Sequence, residues 1–302
     1  MKRPSLTPRA FSQVTLAALV SLSAIVVSGG AVRLTESGLG CPDWPTCAEG
    51  RVVAPLEYHA MVEFVNRTVT GLVSLAVIVA VLGSLFRVPR RRDLVVLSLG
   101  LVAGVAGQVV LGGLVVMSDL WPPLVMGHFV LSMVLLANAT VLHDRATKPD
   151  DGEDRLAVGP EHARLGRLTL WAAALVIFLG TVVTGSGPHS GSHEGEIIER
   201  LPFAVGDVAR LHGGSVWLFL ALAVFTVESV RRAGAPPDVV RRGIVLLAAL
   251  VTQAVVGYAQ YVTGVPVLLV GIHIAGAVAV WLAALRFALG MRVSVPSLMV
   301  AA

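Results

Sequence analysis

The sequence predicts an all-α, polytopic membrane protein with eight transmembrane helices in two similar four-helix bundles. The first observation is composition: 55% of the 302 residues are hydrophobic, only 14% are charged, and the mean hydropathy is +0.81. About a quarter of the residues are charged in a soluble domain. The second is a series of apolar runs of about 20 residues, the length that crosses a bilayer core of about 30 Å. The third is a repeated spacing of polar residues inside those runs.

Eight helices are predicted from the apolar runs. Their spans are 11–32, 63–86, 94–117, 123–143, 165–185, 207–230, 243–263 and 267–289. The first span follows Lys2, Arg3 and Arg9, as the apolar part of a signal peptide would. Its run is long for a signal peptide and no clear small-residue cleavage site follows, so we expect a retained helix.

The basic residues predict the orientation of these helices. Five of the 23 Lys and Arg residues fall on one side of the predicted helices, and the other 18 fall on the opposite side. Cytoplasmic loops are enriched in Lys and Arg, so both termini are predicted to be cytoplasmic. The basic residues form short runs between helices and no continuous stripe, which favours lipid and not nucleic acid as the partner. The five on the outer side are Arg33, Arg51, Arg67, Arg200 and Arg210.

A duplication is indicated by three landmarks that recur at matching distances. Twenty residues separate Gln108 from His128 and Gln253 from His273; Asn66 lies 62 residues before His128, and His212 lies 61 before His273. The segment Gln108-Val-Val-Leu-Gly also matches Gln253-Ala-Val-Val-Gly. We predict an N-terminal half (1–143), a cytoplasmic linker (144–164) and a C-terminal half (165–302). Each half has an even number of helices, so their pseudo-twofold axis should run along the membrane normal.

His128, His212 and His273 lie inside predicted helices, near the outer ends of those helices. An ionisable group within a membrane is costly, which favours a functional role. A neutral imidazole is a good axial ligand for haem iron, and helical bundles build such sites from facing helices. We therefore predict that His212 and His273 bind one haem. The alternative is that each histidine only bonds to a neighbouring helix, as we expect for Gln108 and Gln253.

The first half departs from this pattern, because Asn66 stands where the second half has His212. Asparagine is a poor ligand for haem iron. A haem held by His128 should therefore be five-coordinate or take another ligand. His59 is a candidate for that ligand, although it precedes the predicted second helix and is expected at the membrane interface.

Glu63 lies three residues before Asn66 and four before Arg67, so the three share one face of a helix. Glu63 either pairs with Arg67 at the interface or serves as a carboxylate that moves protons and stabilises a cationic intermediate. Arg67 and Arg210 could instead bind haem propionates, because a guanidinium recognises carboxylates with two parallel hydrogen bonds.

Cys41 and Cys47 are the only cysteines, and both lie in the first outer loop. A structural disulfide is predicted there, since the outer compartment permits it. A dithiol in redox exchange and a metal site are weaker alternatives. His189 and His193 in another outer loop also suggest a metal, but Gly and Ser dominate that loop.

The residues described above resemble those of the haem A synthase family, in particular its actinobacterial type. The resemblance covers nearly the whole chain, and includes Gly29-Gly-Ala-Val-Arg-Leu-Thr35, the cysteine loop, Glu63-Phe-Val-Asn66-Arg67, the three helical histidines and Thr184-Gly-Ser-Gly-Pro-His189-Ser-Gly. The usual family motif is Glu-x-x-His-Arg, so Asn66 is a departure that argues against two histidine ligands in the first half.

The resemblance implies an enzyme of the bacterial cell membrane that oxidises a ring methyl of haem O to the formyl group of haem A, for terminal oxidases. It implies a haem b cofactor on His212 and His273, and substrate haem O near His128 and the catalytic Glu63. Haem O would come from a haem O synthase, and electrons from a donor that the sequence does not identify. The alternatives are a b-type cytochrome that only carries electrons, or a transporter, which would need broken helices and charges near the midplane.

Overall fold

The computed structural model describes residues 5–192 and 198–296, and these contain eight long helices and one two-stranded sheet. All eight helices are long and apolar enough to cross a membrane, which confirms the predicted polytopic fold. The helices are α1 (Pro8–Leu34), α2 (Tyr58–Phe86), α3 (Arg92–Met117), α4 (Pro122–Ala146), α5 (Pro160–Ser186), α6 (Val205–Arg232), α7 (Pro237–Val262) and α8 (Val267–Gly290).

Proline marks the beginning of most of these helices. Pro122, Pro160 and Pro237 occupy the first turns of α4, α5 and α7, and Pro266 directly precedes α8. Proline suits the first turn because its missing N–H would have no intrahelical partner there. Three helices begin five or six residues before the predicted positions, α2 at Tyr58, α5 at Pro160 and α7 at Pro237.

The helices form two rings of four. In the first ring α1 contacts α2 and α4, and α3 contacts the same two helices; α5 to α8 repeat this pattern in the second ring. The chain alternates in direction from helix to helix. The loops after odd-numbered helices therefore lie at one end, which we call the disulfide end, and the loops after even-numbered helices lie at the other, the ribbon end.

The two rings meet along a seam formed by α1, α4, α5 and α8. Contacts join α1 to α8, α4 to α5, and α4 to α8. At the centre of the seam the buried Trp281 indole of α8 donates to the backbone carbonyl of Met133 on α4 (2.8 Å). If α1–α4 is superposed on α5–α8, the contact of α1 with α8 becomes that of α5 with α4, and the contact of α4 with α8 maps onto itself. A twofold relation between the rings requires this pattern, but the relation itself stays a prediction.

A short antiparallel ribbon lies at the ribbon end. Strand β1 (Gly152–Leu156) comes from the segment between α4 and α5, and it pairs with β2 (Arg292–Pro296), which follows α8. The segment predicted as a plain linker, 144–164, therefore contains a strand. Helix α4 extends into it as far as Ala146, and α5 begins within it at Pro160. The strand joins this segment to the C-terminal side of the second ring.

Candidate functional site

His212 on α6 and His273 on α8 face each other inside the second ring. Their ring centroids are 6.4 Å apart and their planes are inclined by 75°. A metal bonds to an imidazole nitrogen at about 2 Å, so two imidazoles that share one metal atom have their ring centroids about 6 Å apart. The two histidines are therefore separated as a pair of axial ligands would be. Both lie within two turns of the disulfide end of their helices.

Three histidines, His128, His212 and His273, each pack on a glycine of the neighbouring helix. A Cβ placed on Gly180 would lie 3.2 Å from Cε1 of His212, and one on Gly257 would lie 3.0 Å from Cε1 of His273. In the first ring the same contact joins Gly112 to His128, at 3.3 Å. These distances are tighter than ordinary van der Waals contact, so a larger residue would displace the ring. The Nδ1 atom of each of the three histidines is buried without a hydrogen-bond partner among the described residues.

Two of the three histidine-bearing helices, α4 and α8, are each held by a glutamine of the neighbouring helix. That glutamine lies four residues before the glycine that supports the histidine. Gln108 Nε2 donates to the backbone carbonyl of His128 (3.2 Å), and Gln253 Nε2 donates to that of His273 (2.7 Å). The predicted role of the glutamines as hydrogen-bond partners between helices is confirmed. The repeated segments of the two halves each end at one of these glycines, Gly112 and Gly257. The structure gives the physical reason for the repeat, because each glycine makes room for an imidazole.

Asn66 lies at the equivalent helical depth in the first ring but bonds elsewhere. Its Oδ1 accepts a hydrogen bond from Ser28 Oγ on α1 (2.8 Å). Asn66 and Ser28 both line a cleft of about 570 Å³ between α1 and α2, whose other walls are mostly apolar. His59, the candidate alternative ligand, lies in the first turn of α2. It is two helical turns from Asn66, about 10 Å along the axis, and its Nδ1 is 3.0 Å from Ser37 Oγ.

Glu63 and Arg67 form a buried ion pair beneath the first loop. The Glu63 side chain is only 8% exposed, and its Oε1 accepts from Nε (3.0 Å) and Nη2 (2.5 Å) of Arg67. Its Oε2 accepts from the backbone N–H of Cys41 (2.8 Å). A buried carboxylate requires such partners because desolvation of the charge is costly. The ion pair considered from the sequence is therefore present, while the catalytic role of Glu63 stays a prediction.

Arg67 also binds the backbone of the segment between the cysteines. Its guanidinium donates to the carbonyl oxygens of Cys41 (2.8 Å), Asp43 (3.1 Å) and Thr46 (2.9 Å). In this arrangement no N–H of Arg67 is left for a haem propionate. The predicted contact of Arg67 with a propionate would therefore require the loop to release the Arg67 side chain. Arg210 lies on the surface, where it pairs with Asp207. Its contact with a propionate stays a prediction.

Cys41 and Cys47 form the predicted disulfide bond, and both are buried. We call residues 41–47 the disulfide loop. The indole of Trp44 within it lies against the guanidinium of Arg67, with 5.3 Å from the guanidinium carbon to the ring centroid. The same indole packs on Gly113 of α3, where a Cβ would lie 2.5 Å from Nε1. The disulfide loop therefore contacts α2 and α3 at once, next to the glycine that supports His128.

Loops of the two rings join at the disulfide end. Arg33 donates to the carbonyl of His189 (3.0 Å), and the His189 ring lies 2.9 Å from the carbonyl of Val265. Arg200 donates to the carbonyls of Thr184 and Gly187, and burial lowers the pKa of its guanidinium. Within the described residues there is no group of three metal-ligating side chains. His193, the other histidine considered for a metal, lies outside the described residues.

Part of the chain matches the sequence profile of a known protein family. The sequence profile of the COX15-CtaA family, described as cytochrome oxidase assembly protein, matches residues 12–61 and 53–189. That stretch includes Glu63 and His128 and ends before His212. The match covers more than half of the chain.

Three relatives named heme A synthase are similar to the chain at low identity. The protein of Bradyrhizobium sp. (strain ORS 278) is 27% identical over 85% of this chain and 84% of its own length. The proteins of Lysinibacillus sphaericus and Exiguobacterium sibiricum are 27% and 32% identical, over 42% and 39% of this chain. These two alignments span only 42% and 40% of the relatives' own lengths.

Proposed function

The chain belongs to the COX15-CtaA family of cytochrome oxidase assembly proteins, and on this premise we propose that it is a haem A synthase. The proposed reaction oxidises a ring methyl group of haem O to the formyl group of haem A, for use in terminal oxidases. The names of the relatives support this assignment. Eight helices able to cross a membrane suit an enzyme whose substrate is itself apolar.

The observation that carries the proposal is the facing pair His212 and His273. Their separation of 6.4 Å, the glycines that make room for both rings, and the buried Nδ1 atoms without partners in the described part of the chain fit two residues that would hold one haem. A buried polar atom without a partner is rare unless a ligand or a neighbouring group uses that side chain. We propose that this pair holds haem b, which when bound would supply one-electron transfer.

Substrate haem O is proposed to bind in the first ring, with His128 as its ligand. His128 has the same glycine support and the same glutamine bond to its backbone as His273. Asn66 is bonded to Ser28 and offers no imidazole. Haem O would therefore be held by one histidine.

Glu63 is the proposed catalytic residue. Oxidation of a methyl group to a formyl group removes four electrons, which an oxidant supplied from outside the chain must accept, and the carbon that loses hydride or hydrogen-atom equivalents develops positive charge. A carboxylate in a site of low dielectric constant favours that charge, and it can also accept or relay protons. Glu63 suits this role because Arg67 and the backbone N–H of Cys41 keep its carboxylate in one position.

The proposed location is the bacterial plasma membrane, with the disulfide end outside and both termini in the cytoplasm. The excess of Lys and Arg at the ribbon end supports this orientation. A disulfide bond also suits an oxidising outer compartment. Haem O would be delivered by a haem O synthase, and a separate donor would supply electrons.

The substitution Glu63→Gln tests the proposal, because it keeps the size of the side chain and removes its charge. We expect normal membrane insertion and normal haem b, with haem A reduced by about 10²–10³-fold, the usual loss for one electrostatic stabiliser. The measurement is chromatography of haems extracted from membranes that are supplied with haem O. Partly oxidised haem O is expected to accumulate.

Glu49→Gln is the matched control, since Glu49 is an exposed carboxylate of the same region whose ion pair among the described residues is with Arg51. It should leave haem A unchanged. If Glu63→Gln also leaves near-normal haem A, Glu63 is only a structural partner of Arg67. If the unaltered protein binds haem but makes no haem A, it is an electron carrier.

A further inference from the structure

We propose that Arg67 is a positioning residue that ties the disulfide loop to Glu63 and holds that loop as a lid over the His128 side of the first ring. The lid itself follows from contacts within the chain. Its effect on haem A rests on the proposed function. Neither the family match nor the names of the relatives assign this role to Arg67.

The first argument is that every donor of Arg67 is used. A guanidinium has five N–H groups in a fixed planar arrangement. Two of them bind Oε1 of Glu63, and the other three bind the carbonyl oxygens of Cys41, Asp43 and Thr46. A lysine at this position would keep the charge but has three donors on a single nitrogen. It could not reach the carboxylate and all three carbonyls together.

The second argument is that Glu63 binds both Arg67 and the disulfide loop. One of its oxygens accepts from Arg67 and the other accepts from the backbone N–H of Cys41. Movement of the disulfide loop would therefore move the carboxylate, and loss of Arg67 would leave the carboxylate held from one side only. The disulfide bond fixes the two ends of the loop, whereas Arg67 binds carbonyls along its length.

The third argument concerns what the loop covers. Trp44 packs between the guanidinium of Arg67 and Gly113. Gly113 follows Gly112, on which the His128 ring rests. A continuous series of contacts therefore runs from Glu63 through Arg67 and Trp44 to the helix that supports His128. The disulfide loop therefore contacts α3 one residue from the glycine that packs on His128, beside the proposed substrate site.

The test measures how readily the disulfide bond is reduced in Arg67→Lys. An added dithiol gives up two electrons and two protons, the Cys41–Cys47 bond breaks into two thiols, and the dithiol becomes a disulfide. We expect reduction at least tenfold faster in Arg67→Lys, because loss of several hydrogen bonds makes local opening of the loop easier. Trapping of the new thiols with a maleimide, followed by mass analysis, gives the rate. Haem b spectra should stay normal.

Arg51→Lys is the matched control, because Arg51 is exposed in the same region and, within the part of the chain that the structure describes, its side chain pairs with Glu49. It should leave the reduction rate unchanged. An unchanged reduction rate in Arg67→Lys would overturn the lid, whether or not the protein makes haem A. Absence of haem A synthesis by the unaltered protein would instead overturn the proposed function and leave this assay valid.

A second measurement tests whether the loop acts through Glu63. In Arg67→Lys we expect a lower kcat with a KM for haem O changed less than about twofold, the pattern of an interaction that matters in the transition state. Combining Arg67→Lys with Cys41→Ser/Cys47→Ser should lower haem A no further than the more severe parent variant, since sites that act together are not additive. If the combined variant instead loses haem A by the product of the two separate losses, Arg67 and the disulfide bond do not act through the same positioning of Glu63.

Discussion

His128, His212 and His273 share surroundings that leave space for a flat ring. Each is placed where a glycine of the neighbouring helix lies against the ring, and each has a buried Nδ1 atom for which the described residues provide no hydrogen-bond partner. Such a group is costly in a membrane unless it is used. The repeated spacing of polar residues in the two halves was enough to predict that His212 and His273 face each other. The supporting glycines were harder to recognise, because glycine is frequent in transmembrane helices for several reasons.

His212→Ala or His273→Ala is expected to abolish stable binding of haem b and most of the activity. Each substitution removes one of the two histidines proposed to hold haem b and leaves a gap in the second ring. The absorption spectrum of the purified protein measures the loss. His162→Ala, at the ribbon end, should keep the spectrum of the unaltered protein. Normal low-spin haem b in both of the first two variants would refute the assignment.

Gly257→Ala is expected to weaken haem b binding about 10–100-fold, the usual effect of disturbing a group that orients a metal ligand. The new Cβ would lie 3.0 Å from Cε1 of His273 and would push the ring away from His212. Titration of the haem-depleted protein with haem b measures the affinity. Gly71→Ala is the control, since its Cβ would meet no atom within 4 Å. Equal affinities in the two variants would show that the contact is unimportant.

At the scale of elements, the long helices could be predicted and the small connecting features could not. Apolar runs of sufficient length predict helices because a membrane leaves the backbone no other partner. Strand β1 was missed because Gly152-Glu-Asp-Arg-Leu has no strand-like pattern, and its partner β2 follows α8, far along the chain. The bonds from Arg67 to the disulfide loop were missed because they end on backbone carbonyls, which leave no trace in the sequence.

Cys41→Ser/Cys47→Ser is expected to leave the helices and haem b in place. The disulfide closes a loop between residues only six apart in sequence, and short loops contribute least to stability through chain entropy. The rings are held by their own helix contacts. Membrane content and the haem b spectrum are the measurements. Disappearance of this variant from the membrane would contradict the expectation.

At the scale of the whole molecule, the seam joins two rings that each complete their own helix contacts. We propose that 1–143 and 165–302 are two structural halves, as the duplicated sequence indicates. The strand β1 then belongs with the second half, because it pairs with β2. The division between the halves would fall between α4 and β1.

Two fragments, 1–148 and 149–302, are therefore expected to assemble when they are expressed together. Buried contacts of α4 with α5 and α8, including the bond from Trp281 to Met133, would hold them. Purification through a tag on one fragment should recover the other, with haem b bound. A break after Ala173, which is fully buried within α5, should prevent assembly. Failure of the first pair to associate would argue against two halves.

The hydrogen bond between Ser28 and Asn66 engages the side chain that stands where the second half has His212. Under the proposed function, the second ring would therefore offer haem two imidazoles, His212 and His273, and the first ring would offer His128. Two imidazoles favour low-spin iron and one favours high-spin iron, so the two rings would be distinguishable by their magnetic signatures.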